Sequence, residues 1–328
     1  MKTAWLHGAL GLLLLVLALL ALNIGPAPLT PLEVLAALFG QGSVEQVLIV
    51  QQLRLPRVIM AWLVGLSLGL SGAALQGLVR NPLAEPGLLG ISSSAGLGAV
   101  LALYFGITSL SIWLLPAAAM GCALLATLAL SLLTWRGASN LTLILAGVAL
   151  SALAGALTSL ALNLAPHPAA AQDMLLWLLG SISERSMNDI LLALPFVAVG
   201  AALLLSTGAA LEVLTLGEAE ASSLGVALSQ VRRRIILGSA LCVGATVAIS
   251  GPIGFVGLVV PHLLRRWVQQ RPGALLVPSA LGGAALVLAA DISLRLLPTP
   301  QELQLGVVTA LIGAPFFLML VVRTRREL

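Results

Sequence analysis

Apolar residues fall into long runs separated by short polar, proline-rich or glycine-rich spacers. A membrane-crossing helix needs about 20 largely apolar residues. Ten runs approach that length: 4–23, 56–79, 92–107, 113–134, 141–164, 189–206, 234–251, 253–268, 274–296 and 304–322. The pattern predicts an all-α polytopic membrane protein, a single transmembrane domain over 1–328 with about ten helices. The run Ala4 to Asn23 exceeds the roughly 7–15 residue apolar core of a signal peptide, and no clear A-x-A site follows, so it reads as a retained first span. Three connections are longer than turns. Residues 24–53 are expected to contain a short amphipathic helix near Pro31–Phe39, and 165–188 contain the apolar run Met174–Leu179. In the third, 207–233, the stretch Leu211–Leu228 carries Glu212, Glu218 and Glu220 among small and apolar residues, ahead of Arg232, Arg233 and Arg234. That composition suits short amphipathic helices at the membrane surface that dock another protein, with a solvated linker as the alternative.

Charge gives these spans a direction. Only 9% of the residues are charged and 59% are hydrophobic, against about 25% charged in a soluble domain. The sixteen basic residues sit mostly in the spacers, which marks membrane topology and not a nucleic-acid footprint. An even number of spans puts both termini on one side. With the termini cytoplasmic, Lys2, Arg80, Arg136, Arg232, Arg233, Arg234, Arg265, Arg266, Arg271, Arg323, Arg325 and Arg326 lie inside, against Arg54, Arg57, Arg185 and Arg295 outside. The positive-inside rule therefore selects cytoplasmic termini.

Several chemistries are excluded. Lys2 is the sole lysine and no G-x-x-x-x-G-K-[ST] occurs, so ATP-driven work must be powered by another subunit. Neither H-E-x-x-H nor G-x-S-x-G is present, and His7, His167 and His262 are far apart, so no metal site or hydrolase centre is expected. Cys122 and Cys242 lie in apolar runs and read as packing residues.

Other segments bear on packing and mechanism. Gly65, Gly69 and Gly72 give the second span a small-residue face for close helix contact. In Val79–Gly96, Pro82 and Pro86 prevent an unbroken helix, and Ser92–Ser94 are placed to cap the third span. Gly251–Arg266 has a related grammar of prolines and glycines. Spans two to five begin outside and seven to ten inside, so an inverted repeat stays open. Asp291 and Arg295, four residues apart near the outer end of the ninth run, form a structural pair or, alternatively, part of a proton relay, with Glu302 able to join them.

Eight segments, taken together, resemble the FecCD or BtuC-like permeases of the iron-siderophore, haem and cobalamin ABC importers. They are RLPR at Arg54–Arg57, SGAALQGLVRNPLAEPGLLGISSSAG at Ser71–Gly96, LAGVAL at Leu145–Leu150, WLLGSIS at Trp177–Ser183, LTLGEAEASSLGV at Leu214–Val226, GPIGFVGLVVPHLLR at Gly251–Arg265, AADISLR at Ala289–Arg295 and LGVVTALIGAPFFLML at Leu305–Leu320. The resemblance implies a homodimeric, multi-pass inner-membrane permease with two cytoplasmic ABC ATPases and one extracytoplasmic binding protein. No cofactor would be held by this chain, ATP and Mg being bound by the ATPase. It places Leu216, Gly217, Glu218, Ala221, Leu224 and Gly225 in the ATPase-coupling segment, and assigns Arg54, Arg57 and Arg295 to binding-protein docking. For Arg54 and Arg57 the alternative is anchoring of the second span. A path along the dimer axis would be bordered by Thr158–Leu179, where Thr158, Ser159 and Asn163 are the candidate lining groups, while His167 reads as a loop residue without a role. The implied cargo is a metal chelate, an iron-siderophore complex or haem, with cobalamin as the alternative because Glu85 stands where iron permeases commonly carry Asp. From another class, an ion-coupled carrier would need an unpaired acid in mid-membrane, and none is evident.

Overall fold

The computed structural model describes residues 2–134, 139–297 and 303–324, and these are helical or irregular, with no strand among them. The ten apolar runs all form helices: α1 (Lys2–Asn23), α4 (Leu55–Val79), α5 (Ile91–Tyr104), α6 (Leu114–Leu133), α7 (Asn140–Asn163), α9 (Met187–Leu205), α12 (Leu228–Ser250), α13 (Val256–Leu264), α14 (Pro272–Leu296) and α15 (Leu305–Thr324). Between them lie α2 (Pro31–Leu38), α3 (Val44–Leu48), α8 (Pro168–Leu178), α10 (Gly208–Leu214) and α11 (Glu218–Ser223). Seven of the described helices are long and apolar enough to cross a bilayer. With nine residues, α13 is too short to do so alone.

Three boundaries differ from expectation for identifiable reasons. The second span does not start at residue 56: α3, a π-helical turn at Ile49–Arg54 and α4 form one 36-residue helix from Val44. A proline inside a helix clashes with the carbonyl four residues back and supplies no N–H. Here the wide π turn falls immediately before Pro56 and accommodates it. The loop 24–53 is correspondingly shorter, with α2 where an amphipathic helix was expected and closed by a Thr30–Glu33 capping box. The span expected from residue 234 begins at Leu228, so Arg232–Arg234 are already helical. Ser92–Ser94 do not cap α5; Gly90 is its N-cap in the left-handed conformation, with the serines inside the first turn.

Burial sorts the helices into an inner and an outer set. The spans built on α4, α12 and α14 are 83%, 78% and 61% buried, whereas α1, α6, α7 and α9 lie between 17% and 33%. The inner contact follows from the glycine face. At Gly65, Gly69 and Gly72 an added Cβ would run into the backbone of Gly283, Ser279 and Gly257, so the helices touch backbone to backbone. In lipid, where van der Waals packing drives helix association, this close approach stabilises the centre.

Contacts at the helix ends define the two ends of the bundle. At one, Trp5 packs on Trp267 with ring centroids 6.4 Å apart, and Asn140 and Arg271 meet residues of α10 and α11. This is the α11 end. At the other, Arg57 and Arg295 meet Asp291, and Arg54 meets the C-terminus of α1. This is the Arg57 end.

Candidate docking surfaces and translocation face

At the Arg57 end, α1 stops at Asn23 and leaves carbonyls without helical partners. Two arginines take them. Arg54 donates through Nη1 to Leu22 O at 2.7 Å and to Asn23 O at 3.1 Å, and through Nη2 to Ala27 O. Arg295 donates to Ala21 O at 2.8 Å and Ile24 O at 3.3 Å, and through its second nitrogen to Asp291. Cations at a helix C-terminus also oppose the negative end of its dipole. Arg57 lies 2.7 Å from the same Asp291, whose side chain is completely buried. A buried carboxylate is tolerable only when paired, and two guanidinium groups pair this one. The arrangement is that of a structural ion cluster. Glu302, considered as a further member, lies outside the described residues.

This geometry changes the reading of the outer arginines. Arg54, only 5% exposed and committed to three carbonyls, is an internal cap. Arg295 is likewise turned inward, onto Asp291 and the end of α1. Arg57 stays at the surface of a cavity of about 990 Å³, lined also by Ile24, Gln52, Glu184 and Arg185. The sequence reading left Arg185 without a role. Burial pulls its pKa down, while Asp189 and Glu184 hold its charge. The four arginines lining the cavity outnumber the three acids beside them, Glu184, Asp189 and Asp291, so the cavity presents a net positive charge.

At the α11 end, α10 and α11 form the pair of short helices expected between α9 and α12. Gly217, the N-cap of α11, has φ 126°, a conformation that L side chains avoid. Leu216 and Leu224 are 63% and 65% exposed, and Gly225 is also exposed. These large apolar groups on a polar turn present a small hydrophobic face. Ala221 is completely buried and packs inward, anchoring the coupling segment. Glu218 is also directed inward, its Oε1 accepting from Asn140 Nδ2 at 3.2 Å. Arg271 and Glu212 pair at 2.6 Å and tie α14 to α10. Nearby, Gln76 donates to the carbonyls of Ala84 and Gly257, both at 3.3 Å, and accepts from Arg265 at 2.6 Å. An isolated Gln in an apolar run gave no signal of this cross-link.

Thr158, Ser159 and Asn163 lie on the C-terminal half of α7, where Thr158 is half-buried and the other two exposed. Asn163 returns its amide to Ser159 O at 2.9 Å, closing the end of the helix. His167 does have a role: its Nδ1 accepts from Ala170 N at 3.0 Å and caps α8. Glu85 accepts from Phe255 N at the start of α13, so its side chain ties the loop before α5 to that helix.

A buried inner set of helices, with α4 packed through glycines onto α14 and α13, and an outer set of exposed apolar helices define a polytopic helical membrane domain. The chain belongs to the FecCD transport family, whose sequence pattern matches residues 13–323. It is 38% identical over 324 residues to the hemin transport system permease protein HmuU of Yersinia pestis, covering 97% of this chain and 96% of that one. It is 43% identical over 282 residues to the vitamin B12 import system permease protein BtuC of Vibrio cholerae, covering 86% and 84%. A solved inward-facing structure of a metal-chelate type ABC transporter superposes with TM-score 0.85 at 35% identity, over 98% of this chain and 99% of that one.

Proposed function

We propose that this chain is the membrane permease of an ATP-driven importer that moves a metal chelate inward. The observation that carries the reading is the near end-to-end match to an importer permease, 97% of this chain against 96% of HmuU. An iron complex, siderophore-bound or haem, is the first cargo reading. Cobalamin is the second, supported by 43% identity to a vitamin B12 permease.

In this reading the α11 end, with most of the basic residues, faces the cytoplasm with both termini. Leu216, Gly217, Leu224 and Gly225 meet the ATPase there, which supplies ATP and Mg; this chain holds no cofactor and is not itself an enzyme. The Arg57 end receives an extracytoplasmic binding protein, with Arg57 and Arg185 offering charge. A second copy covers part of the exposed apolar surface, and α7 with α8 borders the path, where Thr158, Ser159 and Asn163 are the polar groups.

The test is uptake into vesicles holding this chain and its ATPase, with the binding protein loaded in turn with ferric siderophore, haem or cobalamin. Accumulation that requires both ATP and the binding protein is expected. Uptake driven by an ion gradient through this chain alone overturns the reading.

A further inference from the structure

The importer reading leaves open how a push on α11 reaches the path, and the inference here rests on that reading. Asn140, the first residue of α7, touches three other elements. Its Nδ2 donates to Glu218 Oε1 of α11 at 3.2 Å and to Leu78 O at the end of α4 at 3.4 Å, while its Oδ1 accepts from Arg232 Nη2 of α12 at 3.3 Å. The amide is not needed to start α7, because Ser139 already caps that helix by accepting from Thr142 N at 3.2 Å.

The helices joined at this point are held very differently. α12 lies in the core, whereas only 17% of α7 is buried, through the narrow stripe Leu143, Gly147, Ala154 and Ala161. A helix fixed by one stripe loses little packing when it tilts or slides. α11 is fixed through buried Ala221 and leaves Leu216 and Leu224 outside for a partner to grip. A displacement of α11 therefore acts on α7 through the Glu218 carboxylate and the Asn140 amide, with Arg232 holding the far side of that amide. Carboxylate–amide bonds of this kind are charge-assisted and directional.

We propose that Asn140 is a positioning residue which, through Glu218, transmits movement of the coupling helices to α7 and so links ATP hydrolysis to opening of the path. The experiment measures ATP hydrolysis and cargo uptake together in vesicles containing the complete complex, with ferric siderophore, haem and cobalamin each offered on the binding protein. For N140A the complex is expected to assemble and to hydrolyse ATP within about twofold of the parent, while uptake per ATP falls about fivefold or more. N140D sets a carboxylate against Glu218 and is expected to uncouple similarly. N140D/E218Q reverses donor and acceptor, restores the bond, and should return uptake per ATP toward the parent value. An unchanged ratio in N140A, or no recovery in N140D/E218Q relative to N140D, overturns the proposal. Should N140A fail to assemble, the reversed pair alone decides. If the parent complex hydrolyses ATP but accumulates none of the three cargoes, the proposed cargo reading falls while the family membership stands; uptake in the parent with an unchanged ratio in N140A is what overturns this inference alone.

Discussion

Arg54 shows how a charged residue beside a membrane span can be mistaken for a contact site. Its position just before an apolar run suits an interfacial anchor or a docking cation equally well, and only the folded structure shows that the carbonyls of Leu22, Asn23 and Ala27 occupy it. Removing it takes the donor from all three acceptors, of which Leu22 O is in the buried bond. Hydrogen bonds to charged groups contribute about 1.5–3 kcal/mol each, and orphaned buried acceptors add a desolvation cost. Arg54→Ala is therefore expected to destabilise the protein by about 2–4 kcal/mol, seen as a lower thermal midpoint in detergent. Arg54→Lys keeps the charge but not the fork of donors, so it should recover only part of the loss. Binding-protein association, measured below the lowered midpoint, should not change. A normal midpoint with weakened association would instead restore Arg54 as a docking residue. The adjacent Asp291 cluster follows the same logic, because its two arginines neutralise a carboxylate that would otherwise stand alone in the apolar zone.

The legible part of the fold is the part written in runs of apolar residues, and every one of the ten runs became a helix. The illegible part is where one element compensates for another. Pro56 reads as a break because helix rules are local, yet the π turn before it lets a single helix continue from Val44. The start of α12 was set too late because three consecutive arginines resemble a loop, although a helix tolerates them where their heads reach the surface. The glycine face of α4 was readable as a close-packing surface, but its partner was not, since nothing in the local pattern points to Ser279 or Gly283. That contact gives the element-scale prediction. Gly69→Val drives a branched side chain into the backbone of α14 and should cost about 1–3 kcal/mol or more, read as loss of folded protein in a thermal melt. Gly11→Ala, at a position with open space around it, should leave the midpoint unchanged. Equal losses in both would mean that the α4–α14 approach is not a special contact.

Across the whole molecule, the sequence reading grouped residues by segment, and the fold distributes the members of each segment between surface and interior. Ala221 and Glu218 lie in the coupling segment yet face inward, and the links made by Asn140 and Gln76 had no local signal, because a single amide in an apolar run acquires meaning only from the carbonyls and charges that folding brings to it. The same redistribution turns Arg54 and Arg295 onto the end of α1, and in the proposed function it leaves docking charge to Arg57 and Arg185 of the basic cavity. A surface of this kind acts at a distance, steering an acidic partner before contact. Raising the ionic strength from about 0.1 M to 1 M shortens the screening length from about 10 Å to about 3 Å, so association of the binding protein should slow steeply over that range. Replacing both arginines in R57Q/R185Q should slow association by about tenfold at low salt and flatten its salt dependence. Dissociation and assembly with the ATPase should change little, since Asp291 retains Arg295 and the α11 end is untouched. Association that keeps its rate and salt slope in this variant would place the docking charge elsewhere on the outer face and leave Arg57 as a partner of Asp291 alone.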